Sequence, residues 1–149
     1  MSTAHILVVD DEDDIRNTIS DILEDEGYDV SVASDAATAR AEVGRERPDL
    51  ILLDVWMPDV DGITLLREWA RDGSPRCPVV ILSGHGTVET AVEATRLGAV
   101  DFVEKPLSLA KLLRTVEKAL DRAPELARPA PRRLLPKRME PGGRSPLMR

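Results

Sequence analysis

Two periods of apolar residues alternate along this chain. Runs at His5–Asp10, Tyr28–Ala33, Leu50–Asp54, Val79–Leu82 and Val100–Val103 read as strands. Three of them are nearly continuous apolar segments, the pattern of parallel strands covered on both faces. Between the runs the spacing changes to that of helices. Ile15, Ile19, Ile22 and Leu23 recur at i, i+4, i+7 and i+8, and Gly27 is placed to stop that helix. Ser34 is expected to cap an alanine-rich second helix that runs to about Glu46. Ile63, Leu66, Trp69 and Ala70 give a third, and Val88, Ala91, Val92 and Thr95 a fourth that ends near Gly98. The fifth is the cleanest, with Leu109, Leu112, Leu113, Val116 and Leu120 behind a Ser108 cap.

Five β/α units in alternation imply an α/β fold, a parallel sheet with helices on both sides. Right-handed crossovers limit the topology. The expected fold is a flavodoxin-like doubly wound (βα)5 with strand order 2-1-3-4-5. In that order the first and third strands are neighbours, so Asp10 and Asp11 at the end of one meet Asp54 at the end of the other. The order is inferred from that convergence.

Composition adds a boundary. Residues 1–122 carry 13 Lys/Arg against 25 Asp/Glu, whereas residues 123–149 carry 7 against 2, with six prolines. The first part reads as one acidic domain; the Pro/Arg-rich remainder reads as a linker or tail that no helix or central strand would tolerate. An acidic domain is a poor nucleic-acid binder, and the basic tail lacks aromatic interleaving. No apolar stretch approaches the ~20 residues that span a bilayer, and no signal peptide is read at the start. The single Cys77 allows no internal disulfide and suits the reducing cytoplasm. His5, His85 and Cys77 lack the spacing of a zinc site.

The chemistry lies at the strand ends. Like charges ~5 Å apart at an effective dielectric of ~20 repel by about 3 kcal/mol per pair. Asp10, Asp11 and Asp54 would therefore raise one another's pKa unless a cation sat among them. Hard oxygen ligands with room for water and phosphate oxygens suit Mg²⁺. Lys105 follows the fifth run and precedes Pro106; its ammonium is expected beside Asp54, where it can hold a phosphoryl oxygen. Ser83 ends the fourth strand and offers a hydroxyl, and Gly84 and Gly86 flank His85 in the loop beyond. Trp56, two residues past Asp54, either shields the site from water or only covers the loop.

Four segments carry a resemblance: Val8–Asp11, Leu53–Gly62, Ser83–Gly86 and Phe102–Pro106. Together, in this order on a β/α chain, they resemble the receiver domain of bacterial two-component response regulators over about residues 5–121. The resemblance implies that Asp54 accepts a phosphoryl group from a sensor histidine kinase. It implies Mg²⁺ held by Asp11, Asp54 and the backbone carbonyl of Trp56, with Asp10 assisting. It implies that Lys105 and Ser83 contact the phosphoryl oxygens, that Phe102 changes rotamer with Ser83, and that Pro106 follows a cis peptide. The face of the fourth helix, fifth strand and fifth helix is then the output or dimer surface. His85–Ala94 with Gly98–Phe102 looks like NtrC/NtrX-type regulators, in which an AAA+ ATPase and a DNA-binding domain follow. Gly143–Met148 looks like the opening of such an ATPase, so a receiver with a linker cut from a longer transcription regulator is expected. A phosphatase would need an acid where Trp56 stands, and a degenerate receiver serving as a binding scaffold would not need the full set of acids, hydroxyl and lysine.

Overall fold

The computed structural model describes residues 4–55, 57, 59–73, 77–84 and 88–121, and of Ser83, Val88, Thr90 and Ala91 the backbone only. Trp56, His85, Gly86, the Ser83 hydroxyl and the tail with its ATPase-like segment lie outside the described residues. The chain runs β1 (His5–Val9), α1 (Asp13–Asp25), β2 (Asp29–Ala33), α2 (Ala36–Arg45), β3 (Leu50–Asp54), α3 (Gly62–Asp72), β4 (Val79–Ser83), α4 (Val88–Arg96), β5 (Asp101–Glu104) and α5 (Leu109–Asp121). The strands form one sheet in the order β2-β1-β3-β4-β5, every pair parallel.

Strand periodicity sorts the core into two halves. In β1, Ile6 and Val8 join Leu50 and Leu52 of β3, Ile19 and Leu23 of α1, and Leu112 and Val116 of α5. The alternate residues Leu7, Val9, Ile51 and Leu53 face the other way, onto Ala36 and Ala39 of α2, Leu65 and Trp69 of α3, and Ala94 of α4. A residue flanked by helices on both sides of its strand leaves no polar position available, which is why β3 reads as an unbroken apolar run. Each large side chain buried this way contributes about 2 kcal/mol.

Several local expectations shift. α2 is capped by Asp35, whose carboxylate accepts from the Thr38 N–H at 2.8 Å, and not by Ser34. A carboxylate adds favourable charge at the positive helix end, so one residue's displacement gains both cap and dipole. α4 presents a different face from the one expected: Ala94 is buried, while Val92 is 49% exposed and Thr95 is exposed. Small Ala94 lets the helix approach the sheet closely, and a period of 3.6 does not say which of two apolar stripes turns inward. On α3 Ile63, Leu66 and Trp69 are buried as expected, but Leu65 joins them in place of the exposed Ala70, and on α5 Leu109 is 55% exposed. Ser108 does accept from the Lys111 N–H, at 3.4 Å, and Gly27 takes the left-handed φ of 93° that ends α1. Cys77 is buried, and burial pushes its thiol up to about 12, so it stays neutral and unreactive at ordinary pH.

Candidate functional site

The alternation that builds the core also aims the site. Asp54 continues the parity of Leu50 and Leu52, Asp10 that of Ile6 and Val8, and Lys105 that of Val103. All three side chains therefore emerge on one side at the C-terminal edge of neighbouring strands. Asp10 is completely buried and Asp54 is 2% exposed, while Asp11 is exposed. One carboxylate oxygen from each of Asp10, Asp11 and Asp54 lies within 4.8 Å of the others.

Backbone contacts hold this edge in place. The Asp10 N–H donates to the Ala33 carbonyl at 3.1 Å, continuing the ladder past the end of β1. Asp10 Oδ1 accepts from the Glu12 N–H at 2.9 Å, and the Asp10 carbonyl accepts from Arg16 Nη1 at 2.6 Å. Arg16 also pairs with Asp13. The β3–α3 loop folds back tightly: the Gly62 N–H donates to the Val55 carbonyl at 2.7 Å, and a Cβ at Gly62 would stand 2.2 Å from the Asp54 carbonyl oxygen. Asp61 caps α3 by accepting from the Thr64 N–H at 2.7 Å. Asp59, in the same loop, reaches α2 and accepts from the N–H groups of Ala36 and Ala37 at 3.1 and 3.2 Å.

Lys105 supplies the positive charge. Its Nζ is 2.8 Å from Asp10 Oδ2, 2.9 Å from Glu12 Oε1 and 3.6 Å from Asp54 Oδ1. Burial by itself would lower the lysine's pKa, but the contacts with Asp10 and Glu12 and the charge of Asp54 hold it above the ordinary range. The expected neighbour, Asp54, is thus the most distant of three. Lys105–Pro106 is a cis peptide. Phe102 is half-buried against the α2–α3–α4 half of the core, with Lys111 Nζ 5.8 Å from its ring centroid.

Asp10 Oδ2 is buried and, despite its short contact with Lys105, has no aligned hydrogen-bond donor among the described residues. A buried anionic oxygen with spare acceptor capacity is a feature that a cation relieves. The donors are hard carboxylate oxygens, and acids outnumber bases. These residues fit Mg²⁺.

Residues 6–117 match the model of the response regulator receiver domain. The chain belongs to that family. It is 48% identical over 118 residues to the nitrogen assimilation regulatory protein NtrX of Azorhizobium caulinodans, covering 78% of this chain and 26% of that protein. Regulatory protein AtoC of Escherichia coli is 41% identical over 115 residues, covering 77% of this chain and 25% of that protein. The crystal structure of the NtrX receiver domain from Brucella abortus superimposes with a TM-score of 0.74 at 47% identity, covering 78% of this chain and 98% of that one. The receiver therefore spans about a quarter of the length of these curated relatives. The sheet order of this receiver is the flavodoxin-like one expected from the sequence.

Sequence reasoning missed three residues at this site: Glu12, Arg16 and Asp59. Glu12 had a weak signal, as a member of the acidic run Asp10–Asp14. Its pairing with Lys105 spans 93 residues of sequence and follows only from the strand order.

Proposed function

We propose that this receiver is a phosphorylation switch in which Asp54 is the phosphoacceptor and a sensor histidine kinase the donor. The observation that carries the reading is the gathering of Asp10, Asp11 and Asp54 within 4.8 Å, with Lys105 beside them. A carboxylate oxygen of Asp54 attacks phosphorus; the phosphorus–nitrogen bond of the donor phosphohistidine breaks, and the imidazole leaves with that electron pair. Such transfers depend mainly on positioning and neutralisation of charge. Mg²⁺, when bound, neutralises oxygens of the transferring group; Asp11, Asp54 and the Trp56 carbonyl would hold it, with Asp10 assisting. Lys105 moves its ammonium onto a phosphoryl oxygen, and Ser83 donates to another. Phe102 follows Ser83.

The phosphoryl group adds about two negative charges at the sheet edge. That charge biases the α4–β5–α5 face, which serves as the homodimer or output surface. Val92 and Leu109 supply exposed apolar contacts there. In a full-length regulator of the NtrX kind the output would be an AAA+ and DNA-binding module controlling transcription, and the protein would act in the cytoplasm. None of the described helices is long and apolar enough to cross a membrane.

Incubation with acetyl phosphate and Mg²⁺, followed by intact-mass measurement, tests the assignment. The wild type gains one HPO₃ unit and loses it slowly, and Asp54→Asn gains none. A scaffold stays unmodified, and a phosphatase turns the donor over continuously. Either of those results would end the switch reading.

A further inference from the structure

Glu12 occupies the N-cap of α1, where helices favour short Ser, Thr, Asp or Asn side chains that reach back to free N–H groups. Its carbonyl does accept from the Arg16 N–H at 3.0 Å, but its side chain makes no cap hydrogen bond. The carboxylate turns instead to Lys105, with Oε1 2.9 Å from Nζ. Its backbone N–H meanwhile holds Asp10 Oδ1, which pins the residue against the cluster. Glu12 does not belong to the group of three carboxylates gathered for a cation. Its side chain is 60% exposed where that of Lys105 is 15% exposed, so it faces the mouth of the site.

We propose that Glu12 is a positioning residue that restrains Lys105 and opposes small anionic phosphodonors; the proposal rests on the phosphoacceptor reading above. Lys105 is needed on a phosphoryl oxygen, yet among the described residues its two closest acidic partners are Asp10 and Glu12, with Asp54 farther away. Binding a donor must draw the ammonium off Glu12. The exposed carboxylate also repels the donor's phosphate, because charges at this range interact appreciably even near a surface. When acetyl phosphate is the donor, the new bond joins Asp54 oxygen to phosphorus, and the bridging phosphorus–oxygen bond breaks. Acetate leaves with the electron pair. Glu12 exchanges no proton and forms no bond; its effect is confined to donor binding.

The test compares wild type, Glu12→Gln and Glu24→Gln across a titration of acetyl phosphate at fixed Mg²⁺. Glu24 lies exposed on α1, away from the site, and its substitution changes net charge equally. Glu12→Gln should lower the half-saturating donor concentration about threefold, the scale of an exposed ion pair, with the maximal rate unchanged. Glu24→Gln should match wild type. An unaltered half-saturation in Glu12→Gln, or the same drop in Glu24→Gln, overturns the proposal while leaving Asp54 as acceptor. A wild type that takes no phosphate overturns both.

Discussion

One methyl group decides whether the loop after Asp54 can close. Gly62 is the first residue of α3, and the space its Cβ would need is held by the Asp54 carbonyl oxygen at 2.2 Å. The oxygen cannot yield cheaply, since it belongs to the backbone of β3, and the Gly62–Val55 hydrogen bond holds the glycine against it. Gly62→Ala should therefore lower stability by about 3 kcal/mol, at the upper end of overpacking effects, as read from urea unfolding. An alanine variant as stable as wild type would show that the loop has slack. At this scale the sequence was informative for Asp10, Asp54 and Lys105, because each extends a strand whose parity is visible in its apolar neighbours. It pointed Lys105 at Asp54, whereas Asp10 and Glu12 are nearer, a matter of side-chain reach across three strands.

Helix α2 shows what one element owes to another. Its first three N–H groups go to two carboxylates, Asp35 from its own chain end and Asp59 from the β3–α3 loop. The hydrogen bonds to Asp59, from Ala36 above all, hold its carboxyl below the usual range against the opposing desolvation. A depressed folded value gives stability that is full above the unfolded pKa of about 3.9 and is lost as pH falls through the folded value. Asp59→Asn should thus be less stable than wild type at pH 7, with the gap closing on acidification below pH 4. Amide exchange at Ala36 and Ala37 should accelerate in the variant. A gap that holds constant with pH would mean that the charge is not what stabilises this junction. Helix existence was legible here, but the cap was not: Asp59 is 23 residues from Ala36, and only the packing of α2 beside α3 brings them together.

For the molecule as a whole, the clustered acids set fold stability against ligand capacity. Three carboxylates gathered at one edge repel one another by about 3 kcal/mol per pair at ~5 Å, an opposition that Lys105 only partly offsets. A cation that binds only the folded chain stabilises it by mass action, about 2.7 kcal/mol at a hundredfold excess over Kd. Mg²⁺ should accordingly raise Tm of the wild type, measured by calorimetry. Asp11→Asn should be at least as stable as wild type in EDTA and less stable in saturating Mg²⁺. If the order of the two proteins does not reverse between those conditions, the acids are not gathered for a metal.

Local pattern and composition settled much of this protein in advance. Five strands, five helices, the two-sided burial of the sheet and the edge that bears the acids all follow from periods of 2 and 3.6, which neighbouring residues carry among themselves. Tertiary structure alone decided the inward face of α4, the Asp59 cap on α2 and the grip of Glu12 on Lys105. Those contacts join residues far apart in the chain, and their geometry depends on strand register and helix rotation, which no short stretch of sequence contains.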